Sequence, residues 1–243
     1  MIALRSLLES ELTAAGVGRL EHYLGAMSDG FESNPPPFAF AEYGDHYRRC
    51  AVNPYWLIQS LISNSVKEGD GARDLWKLTT RIEDDGLRAQ VVQHARDEAR
   101  HARLYIGILR TVFPHALSKE DERYILDRAP RFDVTPPAPV APHPLARVVD
   151  LIVQINLGEF RTRLHQLLMM PVLDCLCSGR ETRLAVLMES IARDELQHLA
   201  YTAEVIDRWM GDGNGPEGRR LVASRLQQFN ALTTREVGEQ MFH

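Results

Sequence analysis

The sequence predicts an all-α fold, a four-helix bundle with additional helices at its N- and C-terminal ends. Three observations carry this. Apolar residues recur at helical spacing along most of the chain, whereas strand-like alternation is nearly absent. Turn signals divide the central region into two pairs of long helical segments. Between these pairs lie Pro130, Pro136, Pro137, Pro139, Pro142 and Pro144, a density that excludes helix and reads as a stiff connector. One domain over residues 1–243 is expected, with core hairpins at about 53–113 and 145–210 and a proline-rich crossover at about 129–144.

The elements follow in order. Leu4, Leu7, Leu8 and Leu12 mark an amphipathic N-terminal helix, followed by a loop at Asn34-Pro35-Pro36-Pro37. Asn53-Pro54 supplies an N-cap and a first-turn proline for a helix running through Leu57, Leu61, Ser65, Glu68, Ala72 and Leu75. Gly69 and Gly71 weaken that helix locally. Asp84-Asp85-Gly86 reads as a turn, and a second helix runs from about Leu87 to Val112, stopped by Pro114. A short helix fits Lys119 to Arg128. A third long helix is expected from Leu145 to Met170, ended by Pro171. After a turn at Cys177-Ser178-Gly179, a fourth runs from Glu181 to Met210. Asp212 to Pro216 breaks it, and a last helix spans roughly Glu217 to Gly238.

Composition bounds the function. The 243 residues are 44% hydrophobic, enough for a sizeable core. A net charge of −5 with only paired basic residues, such as Arg48-Arg49 and Arg219-Arg220, argues against nucleic acid as the main partner. No apolar run approaches a membrane span, and Arg5, Glu9 and Glu11 interrupt the N-terminal segment, which therefore does not read as a signal peptide. Three cysteines (Cys50, Cys175, Cys177) in no metal-finger spacing suit a reduced, cytoplasmic protein.

Two strings carry the chemistry: Asp97-Glu98-Ala99-Arg100-His101 and Asp194-Glu195-Leu196-Gln197-His198. Each is Glu-x-x-His preceded by Asp. Three residues apart on a helix is the same face, so carboxylate and imidazole can hold one metal ion. With 18 Glu and 9 His, about 0.7 Glu-x-x-His matches are expected by chance, and about 0.04 once Asp is required in front, so two are a specific signal. Two such motifs plus one Glu from each of two other helices form a dinuclear box. Reflection through the hairpin turns locates those two residues. His101 reflects through residues 83–86 onto Glu68, which shares a stripe with Leu61, Ser65 and Ala72. Glu195 and His198 reflect through residues 177–179 onto Glu159, which shares a stripe with Ile152 and Ile155. His94, four before Glu98, lies on the same face and is either a polar core residue or a seventh ligand. His165 reads as structural, Tyr105 and Tyr201 as helix-packing residues with redox activity as the alternative, and Trp56, Trp76 and Trp209 as core.

The chain resembles the ferritin-like diiron-carboxylate proteins over about residues 53–210. Asp97-Glu98-Ala99-Arg100-His101 is similar to the Asp-Glu-x-Arg-His string of bacterial multicomponent monooxygenases; the second copy has Gln197 where that string has Arg. The resemblance implies metal ligation by Glu68, Glu98, His101, Glu159, Glu195 and His198. Asp97 and Asp194 would orient the histidines, each reaching the other motif's His. p-Aminobenzoate N-oxygenase is similar in adding a His four before a Glu-x-x-His, but in its second half, where this chain has Ile191. The implied activity is a non-haem diiron oxygenase that hydroxylates, N-oxygenates or otherwise oxidises a small organic substrate with O₂. The implied cofactor is two iron ions, with manganese as the alternative metal. A ferredoxin or reductase would supply electrons, since no flavin, dinucleotide or rubredoxin motif is present. A homodimer is compatible with this. The competing assignments are a peroxide-scavenging enzyme of rubrerythrin or manganese-catalase type, and an iron-storage or non-catalytic partner subunit.

Overall fold

The computed structural model describes residues 4–132, 135–136, 138–177 and 179–241, with 236–241 described by backbone alone. The fold is all-α, with no strand among the described residues. The helices are α1 (Leu4–Ala14), α2 (Glu21–Ser33), α3 (Ala41–Ala51), α4 (Pro54–Thr79), α5 (Asp85–Val112), α6 (Lys119–Arg128), α7 (Leu145–Leu176), α8 (Glu181–Trp209) and α9 (Gly215–Met241). No described helix is long and apolar enough to cross a membrane.

The chain divides into two compact units. The first comprises Met1–Cys50, Ala146–Leu168 and Glu195–His243; the second comprises Ala51–Leu145 and Met169–Asp194. In the second unit α4 packs along α5 as a hairpin. Local chemistry starts α4, α5 and α6. The Asn53 side chain accepts from the Tyr55 amide with Pro54 in the first turn, and the Asp84 carboxylate accepts from the Leu87 amide. Ser118 caps α6 by accepting from the Asp121 amide. Leu57, Leu61, Ser65, Ala72 and Leu75 give α4 its buried stripe.

The first unit is built around α2 packed on α9, with α1 on α2. Tyr23, Leu8, Met27 and Phe160 are fully enclosed. Asp150 of α7 is held by Arg225 of α9 through two hydrogen bonds of 2.6 Å, and by Arg147 at 2.5 Å. The Arg225 contact is the largest cause holding the Asp150 carboxyl below its usual range. A carboxyl depressed in the folded state stabilises the protein above its unfolded pKa, and that stability is lost as pH falls through the lower folded value. Arg225→Ala should therefore cost about 1 kcal/mol near neutral pH. The difference from the wild type should shrink as pH falls below about 4, a window that urea titrations at pH 7 and pH 3 measure.

Several elements differ from expectation. Pro171 does not end α7, which continues to Leu176. An interior proline loses one backbone bond and costs about 3 kcal/mol. Burial of Met169 and Leu173 on either side stabilises by about 1.5–3 kcal/mol per side chain. Pro171 itself is exposed, so water can serve the carbonyl it leaves over. Gly69 and Gly71 do not interrupt α4. The break near Asp212 is a single widened turn, Met210–Asn214, in which Gly213 takes a φ of 95° that suits glycine. α9 accordingly begins at Gly215. The Asp84-Asp85-Gly86 turn is one residue of N-cap, with Asp85 and Gly86 already helical. The segment after Pro37 holds a short 3₁₀ turn (Pro37–Ala39) and then α3, which the sequence analysis did not anticipate. Trp209 is buried as expected, whereas Trp56 and Trp76 are half-buried. Of the crossover, residues 133, 134 and 137 lie outside the described residues, as does Ser178 of the turn at 177–179.

Candidate metal centre

In the second unit, α5 presents His94, Glu98 and His101 at positions i, i+4 and i+7. All three are buried, at 1%, 6% and 0% exposure. From α4, Glu68 enters the same group, so that the ligand atoms of Glu68, Glu98 and His101 lie within 4.8 Å of one another. The register that puts Glu68 there is set one turn earlier, where the buried Ser65 hydroxyl donates to the Ala102 carbonyl at 2.6 Å. This bond crosses the hairpin beside His101.

His101 has a defined orientation. Nε2 faces Asp194 Oδ2 at 3.2 Å, and Nδ1 faces Glu98 Oε1 at 3.5 Å. Asp194 thus contacts the histidine of the other motif. Arg100 donates to Asp97 at 2.8 Å, to Asp194 at 2.5 Å and to Ser190 at 2.8 Å. The two Asp residues that precede the motifs are therefore joined through one guanidinium. Burial opposes protonation of His101, but hydrogen bonds and charge from Asp194 and Glu98 outweigh it and raise its pKa to about 9. Burial likewise opposes ionisation of Asp194, yet His101 and Arg100 hold its carboxyl below the usual range. His94 Nε2 lies 3.3 Å from Glu98 Oε1, on the side of that carboxylate facing back along the helix.

In the first unit, α7 carries Glu159, and the part of α8 from Glu195 onward carries Glu195 and His198, buried to 1% and 3% exposure. His198 Nδ1 is 3.9 Å from Glu159 Oε2. Here too a polar clasp sits one turn from the glutamate. Asn156 donates to Thr202 Oγ1 at 2.9 Å and to the Leu199 carbonyl at 3.3 Å, and accepts from the Tyr23 hydroxyl at 2.8 Å. Thr202 donates in turn to the His198 carbonyl at 2.7 Å. Burial pushes the Tyr23 phenol well above its usual pKa, so it stays a neutral donor. Tyr23→Phe leaves the buried Asn156 oxygen short of a donor and should cost about 1–3 kcal/mol, read as a lower thermal midpoint.

The sequence analysis missed Ser65, Asn156, Tyr23 and Thr202 as positioning residues. A polar residue three before each candidate glutamate, Ser65 before Glu68 and Asn156 before Glu159, was the available signal. The buried His and Glu side chains form groups that could hold a metal ion. No family model, curated protein or solved structure matches this chain.

Proposed function

We propose that the chain carries a dinuclear metal centre and uses it to oxidise a small organic molecule with O₂. The ligands that the resemblance implies, Glu68, Glu98, His101, Glu159, Glu195 and His198, would hold the two ions. The observation that carries the proposal is the cluster of half-buried Glu68 with buried Glu98 and His101, with Asp194 fixing the remote nitrogen of His101. Two carboxylates buried this close are costly unless a proton or a cation accompanies them. Two iron(II) ions bound there would supply electrons for reducing O₂, with further electrons from a ferredoxin or reductase. His94 enters this proposal as the seventh ligand.

The protein's own part is positional. Asp194 accepts from Nε2–H of His101, so that a bound cation could replace the proton on Nδ1, the nitrogen facing Glu98. Arg100 neutralises Asp194 and Asp97 together, so that neither acid competes for the imidazole proton. Ser65 and Asn156 keep the glutamates at the height of the histidines.

Iron(II)-loaded protein should consume O₂ in the presence of a reductant, and elemental analysis should find two iron ions per chain. Rapid loss of H₂O₂ with no reaction toward O₂ would favour the peroxide-scavenging assignment instead. Asp194→Ala should weaken metal affinity by about 10–100-fold, the usual effect of losing an outer partner of a ligating histidine. Asp194→Asn, which retains an acceptor for Nε2–H, should recover much of that loss in a competition titration.

A further inference from the structure

Turned away from the carboxylate–histidine face, α5 carries Arg96, Arg100 and Arg103 at i, i+4 and i+7, a single stripe of the helix. The segment after α6 brings Arg131 to the same place. The four guanidinium groups and Phe132 line a cavity of about 640 Å³. That volume falls in the range of small-molecule sites. Asp97 is the one carboxylate among the described lining residues, beside four arginines. Arg96 donates to the Phe132 carbonyl at 3.4 Å and Arg103 to the Pro130 carbonyl at 2.9 Å. Trp76 stacks on Phe132 with centroids 4.2 Å apart, which fixes this part of the segment beside the arginines.

We propose that this cavity binds an anionic small molecule bearing carboxylate or phosphate groups. Guanidinium forks match both groups with paired hydrogen bonds. Arg100 is already committed to Asp97 and Asp194, so Arg96 and Arg131, both exposed, supply the charge that a ligand would recruit. The proposal needs no metal ion and stands apart from the proposed oxidation chemistry.

Calorimetric titration of the full chain with inorganic phosphate and with citrate, at an ionic strength held constant with chloride, tests it. Saturable binding of phosphate or citrate at one site per chain is expected. Arg131→Ala and Arg96→Ala should each weaken it by about tenfold or more, as loss of a charge-assisted contact predicts. Arg5→Ala, whose guanidinium pairs with Glu9 outside the lining, should leave it unchanged. Binding no tighter than that of chloride would overturn the proposal, as would variants that bind like the wild type. So would capture of a poly-glutamate peptide with neither small anion bound, which would make the patch a protein-docking surface.

Discussion

Glu98→Ala is expected to abolish dinuclear metal binding while leaving a folded helical protein. Both His94 Nε2 and His101 Nδ1 lie within 3.5 Å of the Glu98 carboxylate. Its removal takes away a carboxylate that the proposed centre would use as a ligand. Stabilisation by a bound ion follows its occupancy, about 4 kcal/mol at a thousandfold excess over the dissociation constant. The wild type should therefore gain several kcal/mol on iron loading, whereas Glu98→Ala should gain little. Thermal melts with and without iron(II) measure all four values. A variant that still gains the full increment would show that Glu98 is not a ligand.

Phe160→Ala should cost about 3–5 kcal/mol, the range for truncating a large buried aromatic. Phe160 is 1% exposed and follows Glu159 on α7. Its ring stacks near Phe31 of α2, with centroids 6.0 Å apart, and meets Phe38 edge-on at 6.1 Å. Such pairs add about 0.5–1.5 kcal/mol each beyond area burial. For a chain of this length the loss corresponds to a fall of roughly 10 °C in the thermal midpoint. Phe160→Leu should recover about half of it. A fall below about 2 °C would mean that this aromatic group does not hold the first unit together.

The long helices were legible because their signals are local. Asn53-Pro54, Asp84 and Ser118 cap helices through their own side chains, and the apolar stripe of α4 needs only its spacing. Glu68 could be located because a hairpin turn makes height a matter of counting, and Ser65 locks that height by bonding to Ala102. The errors have a common source in contacts distant in sequence. Pro171 looked like a terminus because its cost is local, whereas the compensating burial of Met169 and Leu173 depends on packing. Asn156 read as one more polar residue until Tyr23, 133 positions earlier, was placed on it. The arginine cavity escaped notice because Arg96, Arg100 and Arg103 look scattered in a line of text, and Arg131 joins them only after α6 reverses the chain.

The most direct measurement is an anaerobic iron(II) titration followed by Mössbauer and X-ray absorption spectroscopy on the loaded protein. Two ions per chain are expected, each with oxygen and nitrogen neighbours, separated by about 3.5–4 Å as in other two-metal sites. A single ion per chain, or tetrahedral zinc with no second metal nearby, would contradict the account.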